Sequence, residues 1–241
     1  MSSSLFAIVP AAGVGARAAT AQGVPKQYRL LGGQPMLRWA VSALLQDARV
    51  QQVRVAVAAH DHWVDDALAG LAHVCVCRCG GVTRADTVRN ALSEVDLPSD
   101  AWVLVHDAAR PGLPTDALAR LIDTCLQQAR GGILALPVSD TVKRAQRADA
   151  AASDLIAIDG TQARDSLWLA QTPQMFRARE LLEALQATQG DSRVTDEASA
   201  VELAGASGPS PLLVRGAREN IKLTWPDDFV WFEHWMAGGR A

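Results

Sequence analysis

Short apolar runs alternate along the chain with amphipathic stretches of helical period. The apolar runs are rich in strand-forming residues and predict buried strands near 5–9, 53–58, 74–79, 102–106 and 133–137. Between them, apolar residues recur at helical spacing over 37–45, 88–95 and 118–125. Alternating strands and helices are typical of the α/β class, so we expect one domain, 1–241, with a mostly parallel twisted sheet and helices on both faces.

One segment, at about 138–159, interrupts this alternation. Two strand-like pieces, 141–143 and 155–158, flank a polar, alanine-rich stretch. A lone two-stranded hairpin is at best marginally stable in water. Exchange of identical elements across a two-fold axis is a low-cost way to stabilise such a hairpin. The pattern therefore predicts a protruding β-arm that pairs with its twin in a homodimer, and a flexible surface insertion is the alternative.

Composition and charge exclude several classes of protein. The 241 residues are 49% hydrophobic, which is enough for a full core, and the net charge of −3 gives no general attraction to nucleic acid or an anionic membrane. No apolar run approaches the length of a membrane span, and the N-terminal residues lack the basic region of a signal peptide. We therefore expect a cytoplasmic protein with no nucleic-acid or membrane partner.

The four cysteines do not form a recognisable metal or redox motif. Cys75, Cys77 and Cys79 alternate along a predicted strand and so share one face, and Cys125 lies in a predicted helix. These spacings match neither zinc nor thioredoxin-like sites. We interpret all four as reduced structural thiols.

A glycine-rich turn directly follows the first predicted strand. Gly13 and Gly15 lack Cβ atoms, so the backbone there can come close to a ligand and direct amide N–H groups at phosphate oxygens. Arg17 and Lys26 follow and can neutralise the remaining negative charge. Because ligands of open α/β sheets bind at the carboxyl edge of the strands, the turn predicts a triphosphate site at that edge.

Two other interpretations of this turn remain open. It can be a plain strand-to-helix connection, and residues 13–18 also formally fit the dinucleotide-binding fingerprint. That fingerprint requires an acidic residue about 20 positions later, whereas no Asp or Glu occurs between Arg17 and Asp47. Residues 18–31 also have the composition of a loop rather than of a crossover helix. A phosphate-binding loop is the favoured interpretation.

The end of the fourth predicted strand carries a candidate metal ligand. Asp107 lies at the same edge of the sheet, and Mg²⁺ on a triphosphate typically takes one or two carboxylates besides the phosphates. The alternative is an aspartate that caps the following turn. His106 is expected to be structural, because consecutive strand residues point to opposite faces and a catalytic pair with Asp107 is therefore disfavoured.

The chain resembles the 2-C-methyl-D-erythritol 4-phosphate cytidylyltransferases of the non-mevalonate isoprenoid pathway from Phe6 to Phe229. The glycine-rich opening is shared with nucleotidyltransferases in general. The later motifs are more specific, and they lie at 80–87, 105–111, 137–143, 171–174, 195–199 and 220–224. The resemblance implies a nucleotidyltransferase Rossmann-like fold with a β-arm through which the homodimer forms.

The resemblance also implies the reaction. A family member transfers the CMP moiety of CTP to 2-C-methyl-D-erythritol 4-phosphate by in-line attack on the α-phosphate, with Mg²⁺ or another divalent cation, and releases pyrophosphate. A related enzyme for another polyol phosphate, such as ribitol 5-phosphate, is the nearest alternative. A non-catalytic nucleotide-binding regulator and a nicotinamide-dependent oxidoreductase are the alternatives from other classes.

Residue roles follow motif by motif. Four cations are expected to be catalytic, two at the triphosphate and two at the acceptor phosphate: Arg17 and Lys26, then Arg164 and Lys222. Residues expected to bind the nucleotide are Ala11, Ala12, Gly13, Gly15, Gly81, Val82, Thr87, Asp107 and Ala108. Residues expected near the acceptor are Arg110, Thr141, Thr172 and Thr195.

The segment 80–87 is the part that reads the cytosine base in the resembled family. Thr83 and Asp86 also form an approximate capping box, which predicts the start of a helix. Val82 stands where many members carry an acidic residue. If main-chain groups recognise the base, this change is harmless, whereas recognition by a carboxylate would weaken the preference for CTP.

Overall fold

Strands and helices alternate along the computed structural model, which describes residues 4–13, 23–96, 98, 100–146, 156–205 and 209–238. The strands are β1 (Leu5–Pro10), β2 (Leu30–Leu31), β3 (Gln34–Pro35), β4 (Val53–Ala56), β5 (Val74–Cys77), β6 (Trp102–Val105), β7 (Gly132–Pro137), β8 (Val142–Ala145), β9 (Ile158–Gln162), β10 (Trp168–Arg177) and β11 (Leu212–Arg215). The helices are α1 (Met36–Leu44), α2 (Val64–Leu68), α3 (Arg84–Ser93), α4 (Thr115–Gln128), α5 (Ala178–Ala187), α6 (Glu197–Leu203) and α7 (Pro226–Ala237).

A seven-stranded sheet organises the fold, in the order β11-β7-β10-β6-β1-β4-β5. Strand β1 pairs in parallel with β4 and β6, and β11 pairs in parallel with β7. Strand β10 is antiparallel to both of its neighbours. The predicted α/β class with a mostly parallel sheet is therefore confirmed.

Helices cover both faces of the sheet, as predicted. Along β1, Leu5, Ala7 and Val9 pack in a core with residues of α1, α2 and α4. Phe6 and Ile8 point to the opposite face and pack with residues of α3, α5 and α6. Side chains alternate across a strand, so a continuous apolar run serves both cores at once.

The predicted strands are found, but three of them end earlier than the apolar runs do. Strands β4 and β5 stop two residues short of the predicted 58 and 79, and β6 stops one residue short of 106. Single hydrogen bonds continue past the strand ends at the carboxyl edge, from the His106 amide to the Ile8 carbonyl at 3.0 Å and from the Val57 amide to the Cys77 carbonyl at 2.9 Å. Beyond this edge the chain turns into the loops that form the candidate site.

A separate antiparallel hairpin, β8 with β9, is found within the predicted arm, and Val142 lies opposite Gln162. The first strand, Val142–Ala145, overlaps the predicted piece at 141–143 but begins one residue later and ends two residues later. The second was predicted at 155–158 and instead runs over Ile158–Gln162. It is largely polar, so its sequence has no apolar alternation to mark it. Residues 147–155, at the predicted tip, lie outside the described residues.

The C-terminal helix α7 covers one end of the molecule. Its Phe229 and Phe232 are buried against Leu31, Met36 and Leu223. Leu223 thereby anchors the segment that also carries Lys222. Within the described ranges, no helix is both long and apolar enough to cross a membrane.

Candidate functional site

A cavity of about 460 Å³ opens at the carboxyl edge of the sheet, where the loops after β1, β5 and β6 converge. Ten of the residues proposed from the sequence line it: Ala11, Ala12, Gly13, Lys26, Gly81, Val82, Thr87, Asp107, Ala108 and Lys222. Gly15 and Arg17 lie outside the described residues. The nucleotide-binding motifs, which are far apart in the sequence, therefore meet in one place.

Close packing between two loops shapes the cavity wall. A Cβ atom on Gly80 would lie 2.5 Å from the Cβ atom of Ala12 and 2.9 Å from the Val57 carbonyl oxygen. A Cβ atom on Gly81 would lie 2.4 Å from the Cβ atom of Asp86. Glycine at position 80 thus lets the loop after β5 pack against the glycine-rich turn, and glycine at position 81 lets the same loop pack against the start of α3.

The predicted capping box begins α3 beside the cavity. Thr83 accepts from the amide of Asp86, and Asp86 accepts from the amide of Thr83. The Thr87 hydroxyl accepts from the Gly81 amide and donates to the Thr83 carbonyl, both at 3.0 Å. A hydroxyl has one proton to donate, so that of Thr87 is committed to holding the loop. Val82, at the tip of this loop, is 100% exposed.

Asp107 lies at the centre of a cluster of cations. Its Oδ1 atom is 2.9 Å from Nε of Arg84, its Oδ2 atom is 2.9 Å from Nζ of Lys222, and Nε of Arg110 is 3.7 Å from Oδ2. Burial alone would raise the pKa of Asp107, but the three cations outweigh burial and hold that pKa well below its usual range. The carboxylate is therefore ionised at any physiological pH.

Glu197 forms an ion pair with Arg84 and orients its guanidinium, a role that the sequence analysis did not predict. The Arg84 guanidinium binds both carboxylate oxygens of Glu197, with Nη1 to Oε1 at 2.6 Å and Nη2 to Oε2 at 3.1 Å. Glu197 is only 1% exposed, and burial raises its pKa. Arg84 lies in the motif at 80–87 and Glu197 in the motif at 195–199. The two residues are 113 positions apart, and no local sequence pattern predicts that they form an ion pair.

His106 is buried and structural, as the strand alternation predicts. Its Nε2 atom lies 3.0 Å from the Arg110 carbonyl and its Nδ1 atom 3.0 Å from Oγ1 of Thr172. A carbonyl only accepts, so Nε2 carries the proton and Nδ1 accepts from the Thr172 hydroxyl. Burial lowers the pKa of His106 to about 4, which keeps the ring neutral.

Two residues expected near the acceptor are instead committed to the scaffold. Thr172 is buried and its Oγ1 atom accepts from the Asp107 amide at 2.9 Å. Arg110 is also buried, and its guanidinium donates to the Asn220 carbonyl at 2.7 Å and to the Ala170 carbonyl at 3.2 Å. Within this chain they lie behind the cavity wall and orient Asp107 and the segment before Lys222.

The other three expected residues lie away from the cavity within this chain. Thr141 and Arg164 are exposed at the base of the arm, where Arg164 donates to the Ser139 carbonyl. Thr195 is exposed and lines a different groove together with Asp86 and Arg89. This chain alone thus brings together the nucleotide motifs and Lys222, but not the remaining acceptor residues.

The described part of the chain contains no cluster of three or more His, Cys, Asp or Glu side chains arranged to hold a metal ion. Among the described residues that line the cavity, Asp107 is the one carboxylate, against the cations Lys26, Arg84 and Lys222. This charge balance is suited to a polyanion. A divalent cation there would have to take most of its ligands from phosphate oxygens and water.

The described residues that follow the glycine-rich turn do not form a crossover helix. Where the dinucleotide-binding motif requires a crossover helix, the described residues after 22 form a 3-10 turn (Lys26–Tyr28) and the short hairpin β2–β3. Among the residues that the structure describes, the first α-helix begins at Met36.

Comparison with known proteins gives one consistent result. Residues 5–237 match the family model of 2-C-methyl-D-erythritol 4-phosphate cytidylyltransferase. Proteins of that name from Bordetella petrii and Bordetella pertussis are 60% and 58% identical, each aligning with 98% of this chain and 100% of the relative.

Solved structures agree with the sequence relatives. A crystal structure of 4-diphosphocytidyl-2C-methyl-D-erythritol synthase superposes with a TM-score of 0.82 at 36% identity, covering 98% of this chain and 100% of the other. The Francisella tularensis 2-C-methyl-D-erythritol 4-phosphate cytidylyltransferase gives 0.78 at 33% identity, with coverages of 97% and 99%.

Proposed function

Since the chain belongs to the 2-C-methyl-D-erythritol 4-phosphate cytidylyltransferase family, we propose how its cavity performs that reaction. The protein is a nucleotidyltransferase that transfers the CMP moiety of CTP to 2-C-methyl-D-erythritol 4-phosphate and releases pyrophosphate. Ribitol 5-phosphate is not favoured as the acceptor, because each relative named above bears the name of methylerythritol.

The main support for this mechanism is that Lys26, Arg84 and Lys222 line the same cavity as the glycine-rich turn. A phosphate monoester is already an anionic nucleophile near pH 7, since its second pKa is about 6. The barrier is the approach of two anions, and neutralisation with in-line alignment lowers it. A side-chain general base is therefore unnecessary.

In the proposed step, an oxygen of the acceptor phosphate forms a bond to the α-phosphorus of CTP. The bond from that phosphorus to the oxygen bridging to the β-phosphorus breaks, and pyrophosphate leaves with the electron pair. Arg17 and Lys26 neutralise the triphosphate and the charge that develops at the α-phosphorus. Ala11, Ala12 and Gly13 border the same space, which supports their role in phosphate binding.

We further propose that the enzyme uses Mg²⁺, or another divalent cation, bound with the triphosphate. Asp107 fits this role because it is an ionised oxygen donor on the cavity wall, and a single carboxylate is sufficient when phosphates supply the other ligands. The ion supplies charge neutralisation to the phosphates. Arg84 and the Thr172 hydroxyl keep Asp107 in place while Lys222 can move away from it.

The acceptor end of the site is proposed to be shared between two subunits. Arg164 and Thr141 stand at the base of an exposed two-stranded arm, outside the cavity of their own chain. Ile158, Trp168 and Leu169 expose apolar side chains on or beside this arm. A homodimer that covers this surface would let each arm bring Arg164 to the partner's acceptor phosphate, opposite Lys222.

The full chain is proposed to act as one nucleotidyltransferase domain in the cytoplasm. The central sheet takes strands from β1 to β11, which supports a single unit. All four cysteines are free, and burial raises the pKa of Cys77 and Cys125 to about 12, which is typical of unreactive structural thiols in a reducing compartment.

One substrate panel tests the proposed function. Pyrophosphate release is measured with each of the four nucleoside triphosphates against methylerythritol phosphate and ribitol 5-phosphate, with and without Mg²⁺. We expect turnover with CTP and methylerythritol phosphate only when Mg²⁺ is present. A clear preference for ribitol 5-phosphate would overturn the assignment of the acceptor, and full turnover in a chelator would overturn the metal proposal.

A further inference from the structure

Lys26 is carried by a structural element that has little stability of its own. The 3-10 turn Lys26–Tyr28 is three residues long, and no side chain caps its N-terminus. Single 3-10 turns have poor hydrogen-bond geometry and nucleate unfavourably. The position of Lys26 relative to the cavity must therefore come from the two residues that follow it, Gln27 and Tyr28. Both are buried, with 7% and 6% of their surfaces exposed.

Gln27 joins the turn to the glycine-rich loop. Its Nε2 atom donates to the Ala11 carbonyl oxygen at 2.8 Å in a buried hydrogen bond. The Ala11 amide donates in turn to the Ala56 carbonyl of β4 at 2.7 Å. Ala11 is thus held on both sides, by the sheet and by the neighbour of Lys26. A shift of the turn would also shift the backbone that borders the cavity.

Tyr28 joins the turn to the loop after β4. Its hydroxyl donates to Oδ2 of Asp61 at 2.7 Å, and its ring stacks on Trp63 with 5.8 Å between the ring centroids. The other oxygen of Asp61 accepts from the amides of Trp63 and Val64 at 3.0 and 3.1 Å, at the start of α2. The Arg78 guanidinium donates to the Asp61 carbonyl. The acceptor of the Tyr28 hydroxyl is therefore itself fixed from three sides.

The hydroxyl of Tyr28 is a permanent donor at physiological pH. Burial and the nearby Asp61 carboxylate both raise the pKa of this phenol above its ordinary value. A buried polar group without its partner is costly, so the Tyr28–Asp61 bond selects one orientation of the ring and of the backbone that carries it.

We propose that Gln27 and Tyr28 are positioning residues for Lys26, which hold its ammonium group at the α-phosphate through the Gln27–Ala11 and Tyr28–Asp61 hydrogen bonds. This inference rests on the role of Lys26 in the proposed function. An electrostatic contact acts on the transition state only if it is held within a fraction of an ångström of its productive position. Two buried hydrogen bonds, one to the glycine-rich turn and one to the loop after β4, fix the backbone from which the flexible lysine side chain extends.

The test uses two variants that keep shape and remove one hydrogen bond each. Tyr28→Phe retains the stacked ring, and Gln27→Met retains the volume of the side chain. Each is expected to lower kcat on the order of tenfold while KM for methylerythritol phosphate stays within about twofold. Trp39→Phe is the matched control, because it removes the bond from the Trp39 ring N–H to the Leu31 carbonyl, 2.9 Å long, outside this network. Its kcat should equal that of the wild type.

A double-mutant cycle separates positioning from general destabilisation. In a Lys26→Ala background, Tyr28→Phe should cause no further loss of kcat, since there is no ammonium group left to position. Equal losses in the presence and absence of Lys26, or a wild-type kcat for both Tyr28→Phe and Gln27→Met, would overturn the inference. A wild-type kcat for Lys26→Ala itself would instead overturn the role of Lys26 in the proposed function, so the two failures are distinguishable.

Discussion

Lys222 and Asp107 form an ion pair in which the two partners differ sharply in freedom. The distance from Nζ to Oδ2 is 2.9 Å, and the lysine side chain is 48% exposed whereas that of the aspartate is 9% exposed. Asp107 is also held by Arg84 and by the Thr172 hydroxyl. An incoming phosphate can therefore draw Lys222 away from the pair without disturbing Asp107.

Loss of Lys222 should affect the acceptor more than the nucleotide. In Lys222→Ala, KM for methylerythritol phosphate is expected to rise by about tenfold or more, because the acceptor phosphate loses the positive charge of the lysine ammonium group. The affinity for CTP should change little, since Lys26 and the glycine-rich turn remain. Calorimetric titration of CTP into the variant measures this directly. A tenfold weaker affinity for CTP would place Lys222 at the nucleotide instead.

Lys26 is expected to act on the transition state. Lys26→Ala should lower kcat by about 10²-fold or more, the scale for the loss of one preorganised electrostatic contact. Arg17→Ala should lower kcat to a similar extent, because Arg17 is proposed to neutralise the same phosphates. The exposed cation Arg179, on α5, offers a matched control, and Arg179→Ala should have wild-type kinetics. If either site variant only raises KM for CTP, that residue contributes ground-state binding alone.

The shared site can be tested by mixing two inactive proteins. Arg164→Ala and Lys26→Ala each damage one end of the reaction. If Arg164 serves the partner's cavity, a heterodimer of the two variants contains one intact site. Random exchange of subunits after mild denaturation should then restore about a quarter of wild-type activity. Mixtures that remain inactive, although subunit exchange is verified, would show that Arg164 acts within its own chain.

A companion deletion tests the arm itself. Replacement of 142–162 with a short Gly-Ser linker should give a largely monomeric and nearly inactive protein that still binds CTP. Light scattering reports the mass and calorimetry the binding. A deleted variant that remains dimeric and turns over normally would contradict the role of the arm.

Val82 provides a test of how the base is recognised. Because its side chain is fully exposed while Gly80 and Gly81 shape the loop backbone, we expect main-chain groups to read cytosine. Val82→Asp should then leave the ratio of kcat/KM for CTP to that for UTP within about twofold. A large gain in this ratio would mean that a carboxylate at this position contributes to base selection.

His106 should make the protein less stable in mild acid. The unfolded chain binds a proton at this histidine below about pH 6.5, whereas the folded chain does so only below about pH 4, so unfolding takes up a proton between these values. The free energy of unfolding should fall by roughly 3 kcal/mol from this group as pH drops from 7 to 4. Urea titrations of the wild type and His106→Gln measure the difference, and parallel pH profiles would refute it.

Much of this arrangement could be predicted from local patterns. The apolar runs predict the parallel strands because a buried strand must be apolar on both faces. The apolar pattern does not predict strand β10, because Gln171, Thr172 and Gln174 are polar and Pro173 has no N–H to donate to a neighbouring strand. These side chains are nevertheless buried, because they form hydrogen bonds to neighbouring loops. Gln171 donates to the Ala217 carbonyl, and Gln174 donates to the Asp196 carboxylate.

In the candidate site, too, local sequence predicts some residues, whereas others depend on contacts between distant parts of the chain. The glycine-rich turn, Lys26 and Asp107 are proposed from the sequence because each follows directly from a strand end or a local motif. Thr172 and Arg110 were expected near the acceptor, yet their hydrogen bonds to Asp107 and Asn220 come from pairings across the sheet. The bond between Arg84 and Glu197 likewise depends on tertiary structure, and no single stretch of sequence contains it.

The central position of β10 has a consequence for synthesis on the ribosome. Strands β1, β4, β5 and β6 are complete once residue 105 has been made, but the free edge of β6 is paired only by β10, which ends at Arg177. In the finished enzyme β10 covers this edge, but in the nascent chain the edge stays unpaired while the next 72 residues are made. A chaperone that binds unpaired strands would meet this protein at that stage, when the loops after β1, β5 and β6 have been made but Lys222 has not yet been added to the cavity.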